Sequence, residues 1–439
     1  MPMNFSKYVA LTTAANMAIA LLGMIAGVFL ARILGVPGRG EFAAIVNWPA
    51  LVTTLGTLGL TTAIGYYAGR RVNEGGRILT TGVLTLLAWS LPLCLISFII
   101  MPVLLSMQPP SVVQAARTYL WIVPVQFIVL STFGALQGLG QLVLWNGLRF
   151  IAPIAWLAVV LIGWGANTLT PISLAYSHLL ITGGVAVVML AIAGLRIHGP
   201  FRFEARRLSG MLGYGLPSIF ASVPQLLNLR LDQLLMAALL PTRQLGLYAV
   251  AVTWSSALSP VLTSISQVAF PRMIALPDRQ SQGEALQRML RLSILIAALL
   301  VIGALLVTPW AIPLLFGADF SASVPAACLL MIAGGIAGVN VIAEEALRGM
   351  ELPRWPLLAE FVGLGVTVVL LLLLLQRYLL IGASVASLAS YSATLSVLLW
   401  LIGREFRLNP WRSLLPGWHD VRLLWRILLQ FMPLSLFRR

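Results

Sequence analysis

The chain has 439 residues, of which 59% are hydrophobic and only 9% charged, with a formal net charge of +15. Soluble domains carry about a quarter charged residues, so a water-soluble globular protein is excluded. Apolar runs of membrane-spanning length recur from end to end and identify an all-α polytopic membrane protein.

Twelve membrane-spanning helices are predicted, at 8–30, 42–68, 78–106, 113–137, 147–166, 171–195, 211–239, 246–270, 290–316, 324–347, 355–376 and 379–402. The first run is too long for the apolar core of a cleavable signal peptide. The turn after it, LGVPGRGEF, is dense in glycine and proline and lacks the GK[ST] of a phosphate loop. Arg32 and Arg39 flank this turn, either as phosphate contacts of an outer vestibule or as snorkelling anchors. Arg149 lies near the start of the fifth span, and His178 in the sixth reads as a hydrogen-bonded packing residue. Cys94 and Cys328 both fall inside spans, so neither a disulfide framework nor a thiolate metal site is expected.

The seventh span contains LLNLRLDQLLMAALL, residues Leu226–Leu240. A charge at the centre of a bilayer costs about 2.5–3.5 kcal/mol, yet this stretch keeps Arg230 and Asp232. Arg230 precedes Pro241 by about ten residues, roughly 15 Å of helix, beyond snorkelling reach. In a regular helix Gln225, Asn228 and Asp232 share one face, expected to point into a cavity, while Arg230 points to its flank. Pro217 and Pro224 are expected to bend the span, turn its outer half inward and serve as a gate. The competing reading is a purely structural Arg–Asp network. Further on, Glu344 and Glu345 lie three or four residues before Arg348, a local Glu345–Arg348 pair is expected to account for one of them, and Glu360 lies near the start of the eleventh span.

With the amino terminus in the cytoplasm, 22 of the 28 lysines and arginines fall on the cytoplasmic side, five fall outside and Arg230 belongs to neither set. This positive-inside bias predicts both termini in the cytoplasm. Arginines scattered over short loops are topology determinants, which removes nucleic acid as a partner. The domain reading is a bundle at 1–195, a linker at 196–210, a second bundle at 211–402 and a basic tail at 403–439. The tail's final run reads as an interfacial helix, with a thirteenth pass as the minority alternative.

The halves repeat. ALQGLGQ (Ala135–Gln141) answers ALRGMEL (Ala346–Leu352), LAYS (Leu174–Ser177) answers ASYS (Ala389–Ser392), and RGEFAAI (Arg39–Ile45) answers LGLYAVA (Leu245–Ala251). Six spans per half make these parallel repeats, meeting at a seam where transporters bind substrate. Extending the match pairs Arg149 with Glu360, either facing each other across the seam or held independently near an interface. Asn16, Asn47, Tyr66, Tyr67, Gln126, Gln137, Asn146 and Asn340 are candidates for contact with a polar cargo.

Several stretches resemble the polysaccharide-transporter family of O-antigen and capsule-type flippases, within the multidrug/oligosaccharidyl-lipid/polysaccharide exporter superfamily. They are ARILGVPGRGEFAAI, LQGLGQLVLWNGLRF, YGLPSIFASVPQLLNLRLDQLLMAALLPTRQLGLYAVAVTW, AFPRM, LLFGADFSASVPA and IGASVASLASYSATL, which cover the chain to about residue 402. The resemblance implies a V-shaped pair of bundles around a central cavity, in the bacterial cytoplasmic (inner) membrane. It implies movement of an undecaprenyl-pyrophosphate-linked oligosaccharide between leaflets in exchange for H+ or Na+, with other polysaccharide-assembly membrane proteins as candidate partners.

On that basis Arg230, Arg32, Arg149 and Arg39, with Asn228 and Gln225, are expected to meet the pyrophosphate and glycan, because a guanidinium fork matches phosphate oxygens. Asp232 and Glu360 are expected to couple the ion. No cofactor or metal is expected. No catalytic residue is expected either, since no loop is long enough to carry an active site and no HExxH, CxxC or Walker lysine is present. The alternatives are a multidrug antiporter for cationic compounds, on the same fold, and a membrane glycan-assembly enzyme or scaffold.

Overall fold

A computed structural model describes residues 5–166, 169–406 and Arg422. The predicted tail helix falls outside the described residues. Among these the fold is all helical, as predicted. In a hydrocarbon environment every backbone group must be satisfied within its own segment, which the Leu-, Ala- and Val-rich runs achieve as helices.

The first half comprises α1 (Phe5–Gly56), α2 (Leu60–Arg70), α3 (Gly75–Leu104), α4 (Pro110–Tyr119), α5 (Ile122–Gly138), α6 (Leu142–Leu148), α7 (Ile151–Ala166) and α8 (Pro171–Arg196). The second comprises α9 (Ala205–Asn228), α10 (Leu231–Leu239), α11 (Thr242–Ser255), α12 (Ser259–Ile274), α13 (Arg279–Phe316), α14 (Val324–Gly349) and α15 (Arg354–Phe406). Nine helical stretches of membrane-spanning length and apolarity occur among the described residues. Eleven of the twelve predicted passes map onto them once two joins are resolved. Spans one and two meet within α1 at Gly35, whose φ of 63° and ψ of −175° lie outside the helical region. Spans eleven and twelve meet within α15 at Leu379. Span seven is split between α9 and α10.

The repeat is visible in the packing. In the first half α5 sits centrally, against α2, α3 and α8; in the second, α14 packs against α12, α13 and α15. These are the helices carrying ALQGLGQ and ALRGMEL.

The halves touch at both ends. At one end, here called the sealed end, α1 packs on α11. Gly40 and Gly246, equivalent positions of the repeat, allow backbone-to-backbone approach: a methyl group on Gly246 would overlap the Val36 carbonyl, and one on Gly40 the Thr242 carbonyl. Gln108, from the turn between α3 and α4, donates to the carbonyls of Ala237 (2.8 Å) and Leu240 (3.1 Å) and accepts from Thr242 (3.0 Å). Arg32 donates to the Leu314 carbonyl and, at 2.6 Å, to the Leu315 carbonyl. It thereby satisfies carbonyls left open at the end of α13.

At the other end α2 packs on α9. Tyr66 stacks on Tyr214 with ring centroids 4.3 Å apart, and Tyr67 donates to the Gly210 carbonyl at 3.1 Å. Arg207 bridges Glu74, at 2.6 Å, and Glu204. Hydrogen bonds from Arg207 to Glu74 and then to Glu204 hold the guanidinium charged beyond its ordinary range.

Gly246→Ala is expected to weigh against the sealed arrangement by about 1–3 kcal/mol, the usual cost of overpacking. The measurement is a spin-label distance between the facing ends of α1 and α11. It should lengthen or broaden in the variant, and an unchanged distribution would show that the glycine contact does not hold the seal.

Candidate functional site

Two adjoining cavities lie against the first half. The larger, about 710 Å³, is bordered by α2, α5, α6, α7 and α8, with Tyr214 contributed by α9. The smaller, about 410 Å³, is bordered by the second pass of α1 and by α4, α5, α7 and α8, with Arg230 contributed by the second half. Gln126, Leu130 and His178 line both, so the two share a wall and together make up the hollow on this side of the first half.

Each cavity carries one arginine, and each arginine occupies a break in a helix. Arg149 follows the last residue of α6, and Arg230 precedes the first of α10. The span-seven break is not at the prolines. α9 runs through both Pro217 and Pro224 and stops at Asn228, where Leu229 and Arg230 close back on the carbonyls of Gln225 (3.1 Å) and Leu227 (3.0 Å). Pro217 and Pro224 lie inside α9, and the interruption of the span falls beyond both, at Leu229 and Arg230. Its consequence is to lift Arg230 out of the helical register, so the facing angles of a regular helix do not apply to it.

The polar stripe also faces the other way from expectation. Gln225 donates to Glu344 at 3.2 Å. Asn228 accepts from Thr367 and, at 2.9 Å, from Ser390. Asp232 accepts from the Tyr248 hydroxyl and from the Gln233 amide at 2.7 Å. All three pack into the second half, against α11, α14 and α15, while Arg230 reaches the cavity. Arg230 thus lines the cavity while Asp232, still within electrostatic reach of it, packs into the second half.

Neither cavity is lined by a carboxylate. Arg149 lies with its guanidinium 4.5 Å from the centre of the Trp145 ring and 3.5 Å from the Asn146 carbonyl oxygen. No ion pair forms between Arg149 and Glu360 among the described residues, so in this conformation the two are held independently, the second of the two alternatives drawn from the repeat. The remaining polar lining includes Thr61, Thr62, Tyr66, Gln126, Gln137 and Thr182. His178, expected to be a packing residue, is hydrogen-bonded to Tyr119 at 2.7 Å and set edge-on to Trp156. It also borders the hollow. Asn47 binds Gln233 across the halves at 3.0 Å.

Arg32 and Arg39 line neither cavity. Arg32 is committed to the α13 carbonyls described above. Arg39 is wedged between α1 and α11, where it donates to Thr253 at 3.3 Å and lies over the Phe42 ring, with Nε lacking a partner. Both hold the sealed end in this conformation and make no vestibule.

In the second half, Glu344 is fully buried and Glu360 is 7% exposed. Their carboxyl groups contact each other, and Asn228 contacts Glu360. One oxygen of each, Oε1 of Glu344 and Oε2 of Glu360, has no conventional donor. Arg348 lies 3.4 Å from Glu344 and pairs with Glu345, the local pair that the spacing predicted. The sequence marked Glu344 only as a neighbour of Glu345 and gave it no role, because Glu345 already accounted for Arg348. Tyr214 was also missed.

A family model described as polysaccharide biosynthesis protein matches residues 5–276. No curated protein sequence matches the chain. Among solved structures, the lipid II flippase MurJ in an inward closed conformation is similar with a TM-score of 0.77 at 13% identity, over 98% of this chain and 94% of that one. A multidrug resistance MATE family transporter of the MOP superfamily, inward-facing, gives 0.66 at 14% identity, over 89% and 98%. The MATE multidrug transporter DinF-BH gives 0.61 at 16% identity, over 92% and 98%. At these identities the likeness is one of fold.

Proposed function

Because the chain belongs to the polysaccharide biosynthesis protein family, we propose that it is a flippase carrying an undecaprenyl-pyrophosphate-linked glycan from the inner to the outer leaflet of the bacterial cytoplasmic membrane. The observation that carries this reading is a hollow with two arginines, aromatic, amide and hydroxyl groups, and no lining carboxylate. Two cations lining a hollow that offers no carboxylate of its own favour an anionic guest. Arginine forks suit pyrophosphate oxygens, and tyrosine, threonine and glutamine suit sugar hydroxyls and ring faces. A hollow for cationic drugs would need the opposite lining, so the drug-exporter alternative on this fold is disfavoured. The positive-inside bias supports both termini facing the cytoplasm, which makes the sealed end the outer one. Membrane-bound assembly enzymes of the same polysaccharide are the expected partners.

We assign ion coupling to Glu344 with Glu360, and the ion to H+. Two carboxyls in contact, each with an oxygen lacking a donor, are satisfied by one shared proton. Asp232, expected to share this role, already receives two donors, and we give it the role of fixing α10 to α11. Gln225 donates to the acid pair from α9, Asn228 lies beside Glu360, and Arg230 follows two residues later. Changes at the pair thereby reach the cavity arginine through one short segment.

The test of cargo is co-purification in native lipid followed by mass spectrometry. A pyrophosphoryl polyprenyl glycan is expected on the wild type and depleted in Arg149→Gln. Recovery of bulk phospholipid alone, or of hydrophobic cations, would overturn the assignment.

A further inference from the structure

A third cavity, about 410 Å³, opens on the outer surface of the first half, between α3, the end of α4 and the start of α5. It shares no lining residue with the two described above. Its apolar walls include Leu91, Leu95 and Trp121, which are 67%, 61% and 65% exposed and so lie against the acyl region of the surrounding bilayer. Exposed leucines are ordinary on such a surface. An arginine within the groove is not.

Arg117 donates through Nε to the Phe98 carbonyl at 3.0 Å and lies with its guanidinium 4.3 Å from the centre of the Phe98 ring. These contacts fix the side chain but use one of its five N–H donors. No carboxylate pairs with it among the described residues. Arg117 is seven residues into α4, about 10 Å along the helix from the sealed end. A long side chain at that depth meets the phosphates at the membrane surface.

We propose that this groove binds an anionic phospholipid, with its phosphate on Arg117 and one acyl chain along Leu91, Leu95 and Trp121. A zwitterionic lipid brings its own cation to its phosphate, so it gains less from the guanidinium. A lipid lacking that cation is selected by it. Free inorganic phosphate would leave the apolar slot unused. The site is separate from the transport pathway and concerns which lipid borders the first half.

Trp121 supplies the readout. The full chain is reconstituted in phosphatidylcholine vesicles containing a minor fraction of either phosphatidylglycerol or phosphatidylcholine with brominated chains, which quench indole fluorescence on contact. The Trp121 signal is the difference between wild type and Trp121→Phe. Brominated phosphatidylglycerol should occupy the groove about fivefold above its bulk fraction, the factor given by ~1 kcal/mol per arginine at a membrane surface. The preference should vanish in Arg117→Gln and persist in Arg117→Lys. In the wild type, without any Arg117 variant, unlabelled phosphatidylglycerol should relieve the quenching more effectively than unlabelled phosphatidylcholine. Equal quenching by both brominated lipids, or a preference that survives Arg117→Gln, would overturn the proposal. So would stronger relief by undecaprenyl phosphate than by phosphatidylglycerol, since the occupant would then be the polyprenyl carrier.

Discussion

Replacing Arg230 with glutamine is expected to lower transport of a lipid-linked pyrophosphate by about 10- to 150-fold, corresponding to the ~1.5–3 kcal/mol of a hydrogen bond to a charged group. Arg230 is the residue that the second half contributes to the smaller cavity, at the α9–α10 break, and no carboxylate lines the space it enters. Its charge is therefore not neutralised by the lining, and on the flippase reading cargo phosphate supplies the compensation. Arg230→Lys should recover part of the activity, because an ammonium keeps the charge and loses the two-pronged fork. The sign of the effect separates the competing cargoes. An anionic guest is held less well by glutamine, whereas a cationic guest would enter more easily once the repelling charge is gone. Assays of labelled lipid-linked oligosaccharide and of a lipophilic cation in the same proteoliposomes read both. Cation uptake rising in Arg230→Gln, with no loss of glycolipid transport, would reject the flippase reading.

Arg230 also marks where sequence reasoning stopped. The twelve passes, the turn at Gly35 and Pro37 and the duplication were legible, because apolar length, turn residues and repeated motifs are local signals. Gly40 and Gly246 were already in register in the RGEFAAI and LGLYAVA match, and their close approach at the sealed end is the physical use of that register. The break at Leu229 and Arg230 was not legible. No glycine or proline stands there, and the nearest proline, Pro224, is accommodated inside α9. Spacing correctly grouped Gln225, Asn228 and Asp232 on one face. It could not say whether that face meets a hollow or buried partners, since water and side chains satisfy amides equally well. The structure supplies Glu344, Thr367, Ser390 and Tyr248 as those partners. Glu344 was hidden for a related reason: an adjacent acid at the right spacing explained Arg348 without it.

The acid pair yields the second large effect. Two carboxylates in contact inside a helix bundle repel strongly when both are charged, and a single bridging proton removes the repulsion while satisfying both orphan oxygens. Release of that proton must then disturb the groups packed on the pair: Gln225 and Asn228 from α9, and Arg348 on α14, which also holds Glu345. Glu360→Gln and Glu344→Gln each install an amide that donates permanently to the remaining carboxylate, mimicking the protonated pair without being able to release it. Both variants are expected to fold and bind cargo, and to lose stimulation by an imposed pH gradient, falling to the rate without a gradient. Asp232→Asn provides the contrast. Disturbing the Tyr248 contact should cost about 1–3 kcal/mol of stability, read as a lower melting temperature, while the pH response stays intact. Transport measured with a pH gradient, a sodium gradient and neither separates these outcomes. If Glu344→Gln and Glu360→Gln keep the full pH response, or if only sodium drives the wild type, the proton assignment fails. The cavity arginines would then stand as a binding site whose energy source lies elsewhere in the chain.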